Sequence, residues 1–318
     1  MISVIVPTYN SGDRIGKCIS ALLHQDYKEP YEIIVVDDGS DDNTVEVVKQ
    51  LKVRLVEQRH KGPAVARNLG VKKARGSIVL FTDSDCMASK NWISEMVKPF
   101  KNRKIAGVQG IYKTKQKSFT ARFVQVEIEE RYGRMIEKGV DGIGTYSAGY
   151  RKNIFLKMRG FDRKFPIASG EDFDLSYRIK DKGYMLTFNP NAVVYHQHPE
   201  GLGKYLEQKF RRASWRTLLY KKHPGKIKTE SYTPQMLKFQ IAIFYISALF
   251  LILSVFSINI IFYSIGFFVL LVLSTIPFSI RAFRKDRILI LLSPIFLVLR
   301  TVVFGFGLIF GILNLRRG

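Results

Sequence analysis

In residues 1–235, short apolar runs are separated by stretches with helical spacing. The runs are Ile2–Val6, Glu32–Val36, Val53–Val56, Ile78–Phe81, Ile105–Tyr112 and Val193–Tyr195. Buried strands have this composition, and strands that alternate with helices through short connections form a largely parallel sheet. The pattern therefore predicts an α/β fold with a mostly parallel, doubly wound sheet.

Residues 239–280 have a different pattern, because they contain no charged side chain. This stretch is about twice as long as the roughly 20 residues that a spanning helix needs. We therefore expect two membrane helices, about 239–257 and 260–280, with a turn at Ser257-Ile258-Asn259. Basic residues flank the stretch on both sides, which places both flanks in the cytoplasm. The pattern predicts a multi-pass protein of the cell membrane whose α/β domain faces the cytoplasm.

A third apolar segment covers about residues 288–313, with Arg300 near its middle and Pro294 close to its start. An unpaired Arg at the bilayer centre costs about 2.5–3.5 kcal/mol on the insertion scale. We therefore expect either a third span or a re-entrant segment. The domain prediction is an α/β domain at 1–220, a basic linker at 221–238 and a membrane domain at 239–318.

Charge and cysteine content indicate the binding partners and the redox compartment of the protein. The 318 residues have a formal net charge of +23, which suits nucleic acid, an anionic membrane surface or phosphorylated substrates. Because basic clusters stand beside the long apolar segments, we expect a lipid bilayer as partner and no nucleic acid. The two cysteines, Cys18 and Cys86, lie far apart and indicate a reducing compartment.

Candidate chemistry begins where the run Ile78–Phe81 ends in Asp83-Ser84-Asp85. In an open α/β sheet, ligands bind beyond the carboxyl ends of strands. Two carboxylates there can hold a divalent cation, which can in turn hold a diphosphate. For this motif alone, a polar turn that caps the next helix is the commoner explanation.

Four further motifs accompany Asp83-Ser84-Asp85, and together the five resemble the family 2 glycosyltransferases, over about residues 1–215. The other four are Ser3–Asn10, Val35–Ser40, Ala66-Arg67-Asn68 and Gly170-Glu171-Asp172. The resemblance implies a GT-A fold and an inverting, hexosyltransferase-type enzyme. It also implies a nucleotide-diphosphate sugar as donor and Mn²⁺ or Mg²⁺ as cofactor.

The resemblance also implies roles for individual residues. Asp38 would accept a hydrogen bond from the base, beside the Tyr9 ring, although an Asx-turn role for Asp38 is equally open. Asp85 would ligate the metal, and His196 is preferred to His198 as a further ligand. The expected nucleotide-sugar contacts are Pro7 (through its carbonyl), Tyr9, Asp38, Lys61, Arg67, Asp83 and Ser84.

Asp172 is the expected catalytic base, because inverting transfer needs a carboxylate to take the acceptor's proton. Glu171 is a candidate contact for the acceptor or a phosphate. If the segment is helical, Glu171 points to a different side from Asp172, because neighbours on a helix do not share a face. Arg211 and Arg212 only partly resemble the Gln-x-x-Arg-Trp box of processive synthases, since Trp215 comes three residues late. They would bind a diphosphate or lipid phosphate, or simply attract anionic lipid.

The sequence thus predicts transfer of one sugar to a hydroxyl of a lipid-linked or membrane-associated acceptor. Alternatives within the family are a polyprenyl-phosphate glycosyltransferase and a processive polysaccharide synthase. A sugar-phosphate nucleotidyltransferase would need a Gly-rich loop with Arg after the first strand, which Tyr9-Asn10-Ser11-Gly12 does not provide. A non-enzymatic basic membrane-surface binder would explain the charge but not the separate carboxylate motifs.

Overall fold

The computed structural model describes residues 1–165, 170–230 and 233–315. The chain forms two compact units. The first unit comprises Met1–Lys115 and Tyr132–Gln197, and the second comprises Gln116–Arg131 and His198–Gly318. The second unit therefore begins earlier than the predicted boundary at residue 220, and it also includes residues from the middle of the chain.

One sheet of eight strands, among the described residues, forms the centre of the first unit, in the order β3-β2-β1-β4-β7-β6-β8-β5. Neighbours are parallel except at β4–β7, β6–β7 and β5–β8, so the mostly parallel sheet is confirmed. The strands are β1 (Ile2–Thr8), β2 (Tyr31–Asp37), β3 (Arg54–Glu57), β4 (Ile78–Thr82), β5 (Met87–Ala88), β6 (Ile105–Lys113), β7 (Ser147–Arg151) and β8 (Met185–Tyr195).

Strand β8 is longer than its predicted part, Val193–Tyr195. Asn189-Pro190-Asn191 has the composition of a turn, yet the structure keeps these residues within the strand. Here β8 bulges, because Gln109 pairs with Phe188 and Ile111 already pairs with Val193. Proline has no N–H to donate, and a bulge removes that demand.

The helices of the first unit cover the sheet and build its core. They are α1 (Ile15–Leu23), α2 (Thr44–Lys49), α3 (Pro63–Lys73), α4 (Trp92–Val97), α6 (Lys152–Lys157) and α7 (Glu171–Asp181), and α5 (Phe119–Lys138) runs through both units. A 3₁₀ turn, Lys98–Lys101, follows α4. A large core cluster includes the buried side chains Val4, Val35, Leu80, Ile19 and Trp92, from three central strands and two helices.

The second unit is helical. Its helices are α8 (Leu202–Lys222), α9 (Lys226–Thr229), α10 (Gln235–Leu253), α11 (Ile261–Leu273), α12 (Ile276–Lys285) and α13 (Leu289–Leu315), with a 3₁₀ turn at Ile258–Ile260. Among the described residues, three helical stretches are long and apolar enough to cross a membrane. They are Gln235–Leu253, Ile258–Lys285 and Leu289–Asn314.

Arg300 is buried in the second unit. Its guanidinium donates to Glu127 at 2.7 Å and to Gln240 at 3.2 Å. Glu127 also accepts from Lys209 at 2.8 Å and from the Tyr205 hydroxyl at 3.1 Å. Burial acts to raise the pKa of Glu127, but Lys209 and Arg300 outweigh it and lower the pKa to about 2. The charge that seemed costly in the sequence is therefore paired, and α13 is one continuous helix.

The glycines of α13 allow α8 to approach closely. A Cβ added to Gly311 would lie 2.2 Å from the Ser214 carbonyl oxygen, and one on Gly307 would lie 2.7 Å from that of Phe210. Small residues permit such backbone contact between helices. These contacts explain why residues 198–222 belong with the apolar helices and not with the sheet.

We predict that Gly311→Ala destabilises the second unit by about 1–3 kcal/mol, since the new methyl group overpacks the α8–α13 contact. Gly266→Ala on α11 is the matched control, because a Cβ there meets nothing within 4 Å. Alanine favours a helix over glycine, so the control keeps or gains stability. Thermal unfolding in detergent measures both, and equal effects of the two substitutions would contradict the close packing.

Candidate active site

Four strands bring polar residues to one edge of the sheet. Strands β1, β2 and β4 are parallel, and β8 follows the same direction because β7 is antiparallel to both β4 and β6. Tyr9, Asp38, Asp83 and His196 each follow one of these strands closely. The carboxyl edge of the sheet therefore gathers three of the predicted motifs and His196.

Asp85 and His196 lie together at this edge. The imidazole Nε2 of His196 is 3.3 Å from Oδ2 of Asp85, and the ring stands against Tyr112, with 4.7 Å between centroids. Ligand atoms of Asp83, Asp85 and Cys86 lie within 4.8 Å of one another. His198 belongs to the second unit, where its Nε2 lies 3.0 Å from Gln125. The geometry thus favours His196 over His198 as the neighbour of Asp85.

The donor set here suits a hard divalent cation. Burial, reinforced by Asp85 and Asp83, raises the pKa of the Cys86 thiol well above its ordinary value, so the group stays protonated. Burial also acts to raise the pKa of Asp85, but His196 outweighs it and lowers that pKa. Two carboxylates and an imidazole are therefore the available ligands, and carboxylate oxygens suit Mg²⁺ or Mn²⁺.

The guanidinium of Arg67 is buried between two carboxylates. Its side chain on α3 is only 3% exposed, so it is not a surface cation. One guanidinium nitrogen donates to Asp83 and the other to Glu171, each at 2.9 Å. Arg67 thus links the helix after β3 to two of the carboxylate motifs, and its expected contact with the nucleotide sugar stays a prediction.

The acidic side chains at the start of α7 differ in exposure. Glu171 is 1% exposed and paired with Arg67, and its expected contact with the acceptor or a phosphate stays a prediction. Asp174 is fully buried and pairs with Arg178 at 2.7 Å. Asp172 is only partly buried, and its Oδ1 accepts from the Phe173 N–H at 2.8 Å. Among the three, Asp172 is the most accessible to a substrate.

The carboxylate of Asp38 holds the loop before α3. It is 3% exposed, and its oxygens accept three hydrogen bonds: from Gln58 Nε2 at 2.5 Å, Gly62 N at 2.8 Å and Lys61 N at 2.9 Å. The His60 ring lies 3.1 Å from the Asp38 backbone carbonyl and from Oδ2 of the carboxylate. A nucleotide base would have to share these oxygens with the donors already bound. The Lys61 side chain itself is exposed.

Tyr9 and His60 form an exposed aromatic surface beside this loop. Tyr9 is 45% exposed, and its ring centroid lies 4.3 Å from that of His60. We did not foresee His60 from the sequence, although its position just after β3 places it at the carboxyl edge of the sheet. Pro7 is buried in β1, and the Ser84 hydroxyl lies 3.0 Å from that of Ser11.

Asp37 has the turn role that the sequence left open for Asp38. Its carboxylate accepts from the Ser40 hydroxyl at 2.5 Å and from the N–H groups of Gly39 and Ser40 at 3.1 and 3.0 Å. Arg211 and Arg212 lie on α8 in the second unit, and Arg211 stands 3.8 Å from Glu207. Their expected phosphate contacts stay predictions.

Comparison with known proteins agrees with this fold and motif order. Residues 3–159 match the family model "Glycosyl transferase family 2". Glycosyltransferase AglE of Haloferax volcanii is 30% identical over 221 residues, which are 66% of this chain and 71% of AglE. The chain therefore belongs to glycosyltransferase family 2, and it is a glycosyltransferase.

Two further relatives extend the comparison. A Methanococcus voltae enzyme named dolichyl N-acetyl-alpha-D-glucosaminyl phosphate 3-beta-D-2,3-diacetamido-2,3-dideoxy-beta-D-glucuronosyltransferase is 25% identical over 70% of this chain and 74% of its own. The mannosyltransferase PcManGT of Pyrobaculum calidifontis, solved with GDP-Man and Mn²⁺, superposes with a TM-score of 0.65. It is 18% identical, over 98% of this chain and 87% of that one, and this likeness confirms the GT-A fold.

We predict that Arg67→Ala destabilises the first unit by about 3 kcal/mol or more, because Glu171 would remain buried without its partner charge. Adding Glu171→Gln should recover part of the loss, since the buried carboxylate is then gone. Lys72→Ala, on an exposed position of the same helix, is the control. Urea unfolding measures wild type, Arg67→Ala, Glu171→Gln, the double variant and Lys72→Ala, and additive effects of the two substitutions would contradict a direct Arg67–Glu171 pair.

Proposed function

We propose that the enzyme transfers one sugar, with inversion, from a nucleotide-diphosphate sugar to a hydroxyl of a lipid-linked or membrane-associated acceptor. The observation that carries this proposal is the connected set Asp85–His196 and Asp83–Arg67–Glu171, with Asp172 adjacent to Glu171. Such a set provides a metal site for a diphosphate and a base next to it, as a single displacement needs.

The donor's diphosphate would bind at Asp83, Asp85 and His196 together with Mn²⁺ or Mg²⁺. When bound, the cation neutralises the negative charge that develops on the departing diphosphate. The structural relative PcManGT was solved in complex with GDP-Man and Mn²⁺, which supports a divalent cation at this site. Arg67 is a positioning residue in this proposal, because it holds one oxygen of Asp83.

The nucleotide base would stack on the surface of Tyr9 and His60. Asp38 would act mainly by fixing the loop that carries His60 and Lys61, since its carboxylate already accepts three hydrogen bonds. The exposed Lys61 side chain remains our candidate for a phosphate contact. Pro7, through its carbonyl, and Ser84 remain candidate contacts for the nucleotide sugar.

Asp172 would take the proton from the acceptor hydroxyl as that oxygen attacks the anomeric carbon of the sugar. The bond to the diphosphate breaks on the opposite face, so the configuration at this carbon inverts. Glu171 would steady the start of α7 through Arg67, which keeps the neighbouring Asp172 in place.

The acceptor proposal rests on the apolar helices and on a relative. A chain anchored at a membrane meets amphiphilic acceptors, and the name of the Methanococcus voltae enzyme specifies a dolichyl-linked sugar phosphate extended at a 3-position. The basic flanks of residues 239–280 favour a cytoplasmic catalytic domain. A hydroxyl acceptor is preferred to a polyprenyl phosphate, because Cys86-Met87 follows Asp85 in this chain. Polyprenol-phosphate sugar synthases typically have Leu-Gln at these two positions.

We predict that Asp85→Ala abolishes metal-dependent donor binding. Wild-type protein in detergent should bind one of the UDP-, GDP- or dTDP-sugars more tightly with Mn²⁺ than without, and Asp85→Ala should lose this difference. Asp181→Ala, an exposed carboxylate at the end of α7, is the control and should bind as wild type. Isothermal titration measures the affinities; a metal effect that survives in Asp85→Ala would contradict the proposed site.

We predict that Asp172→Asn keeps donor affinity within about twofold but lowers the turnover rate by about 10²–10⁴, the usual contribution of a general base. The amide keeps the size of the side chain but cannot accept the proton. Asp181→Asn provides the control of the same chemistry on the same helix. Rates of donor hydrolysis and of transfer measure the effect, and an Asp172→Asn enzyme with wild-type turnover would exclude Asp172 as the base.

A further inference from the structure

Helix α13 has two different faces near both of its ends, and between them Val298 and Val302 on the apolar side are half-buried. One face is apolar and exposed, with Leu291, Ile295, Phe306, Ile309 and Leu313 at intervals that return to the same side of a helix. The opposite face is buried and carries the polar and small residues of the helix, namely Ser293, Arg300, Thr301, Gly307 and Gly311. A helix surrounded by lipid has no reason for such a division.

Helix α8 covers much of the buried face. Tyr205 stands against Phe296, with 5.6 Å between ring centroids. Further along, the Gly307 position meets the Phe210 carbonyl, and the Gly311 position meets Ser214 and Thr217. In these contacts the residue numbers rise along both helices together, so α8 and α13 lie side by side and run in the same direction over several turns.

The exposed side of α8 is charged where it borders α13. The side chains of Glu207 and Arg211 are 67% and 57% exposed, and Phe210 beside Arg211 contacts both Gly307 and Phe310. In an upright α13 these positions would stand only a few residues from the bilayer centre. Exposed charges at that depth would face hydrocarbon, which is strongly unfavourable.

The far end of α8 is fixed at the start of α10. The guanidinium of Arg216 binds Glu230 at 2.5 Å, and Lys238 lies 3.8 Å from the same carboxylate. Lys238 directly precedes the uncharged stretch that begins at Phe239. The last turns of α8 therefore lie at the level where α10 leaves the charged headgroup zone, and the adjacent part of α13 lies at that level too.

We infer that α13 does not cross the bilayer but lies along its surface, with its exposed stripe among the upper acyl chains. The partner of this surface is the phospholipid bilayer itself: apolar chains meet the stripe, and lipid phosphates meet Arg211 and Arg212 on α8. Helices α10 to α12 then provide the segment that enters the membrane. The inference concerns membrane contact alone and does not depend on the proposed donor, base or acceptor.

Spin labels can test this orientation. Leu291→Cys, Phe306→Cys and Leu313→Cys each carry a nitroxide on the exposed stripe, in full-length protein reconstituted in phospholipid vesicles. Positions 291 and 306 are separated by about 22 Å along the helix axis. Leu249→Cys on α10 is the control for a deep site, because this side chain is 53% exposed and lies near the middle of the apolar stretch between Lys238 and the turn at Ser257. Wild-type protein reports the background, since Cys18 and Cys86 are buried.

We expect all three labels on α13 to lie at one shallow depth, within about a helix turn of each other, with the label at Leu249 deeper. Oxygen and nickel-chelate accessibilities measure the depth. A gradient of about 20 Å between positions 291 and 306 means an upright helix and overturns the inference. Labels shielded from both reagents mean that a second protein copy covers the stripe, which also overturns it.

A side-specific labelling experiment gives an independent check. Asn314→Cys, near the end of α13, and Arg287→Cys, just before its start, should react with an impermeant maleimide from the same side of sealed vesicles. Reaction of these two variants from opposite sides would show that α13 crosses the bilayer.

Discussion

The buried guanidinium of Arg67 is the interaction on which the arrangement of the active site depends. A charge that is almost fully removed from water must be paired, and here it is paired with Asp83 and Glu171 at 2.9 Å each. The pairing joins three segments that are distant in sequence: α3, the end of β4 and the start of α7. Asp172 follows Glu171 directly, and Asp85 lies two residues after Asp83. The ion pairs of Arg67 with Asp83 and Glu171 therefore set the distance between Asp85 and Asp172.

A similar constraint organises the second unit. Arg300 and Lys209 share Glu127, and Gln240 adds an amide, so helices α5, α8, α10 and α13 meet at one buried polar cluster. Breaking a buried pair costs far more than the pair contributes relative to apolar residues, which makes the cluster specific for one helix arrangement. The apolar surfaces of α10, α11 and α13 remain exposed around it, as a protein in contact with lipid requires.

The hydrophobic pattern was sufficient for the α/β fold and the apolar helices, because buried parallel strands and uncharged spans have strong local patterns. The resemblance of five motifs indicated the family. It identified the carboxylates at the ends of β2 and β4 and the acidic start of α7. It could not tell that Arg67 and Glu171 face each other, since residues so far apart in sequence are brought together only by the fold. Likewise, the pattern made Arg300 seem costly, because its partner Glu127 lies on a helix that had been counted with the catalytic domain.

The stereochemistry of the first-formed product tests the central claim most directly. Proton NMR can follow the slow hydrolysis of a bound nucleotide-diphosphate sugar before the free sugar equilibrates between anomers. A single displacement at a site built from Asp85 and Asp172 predicts that the anomer released first is opposite in configuration to the donor. Release of the anomer with the donor's own configuration would contradict an inverting mechanism and the role of Asp172 as its base.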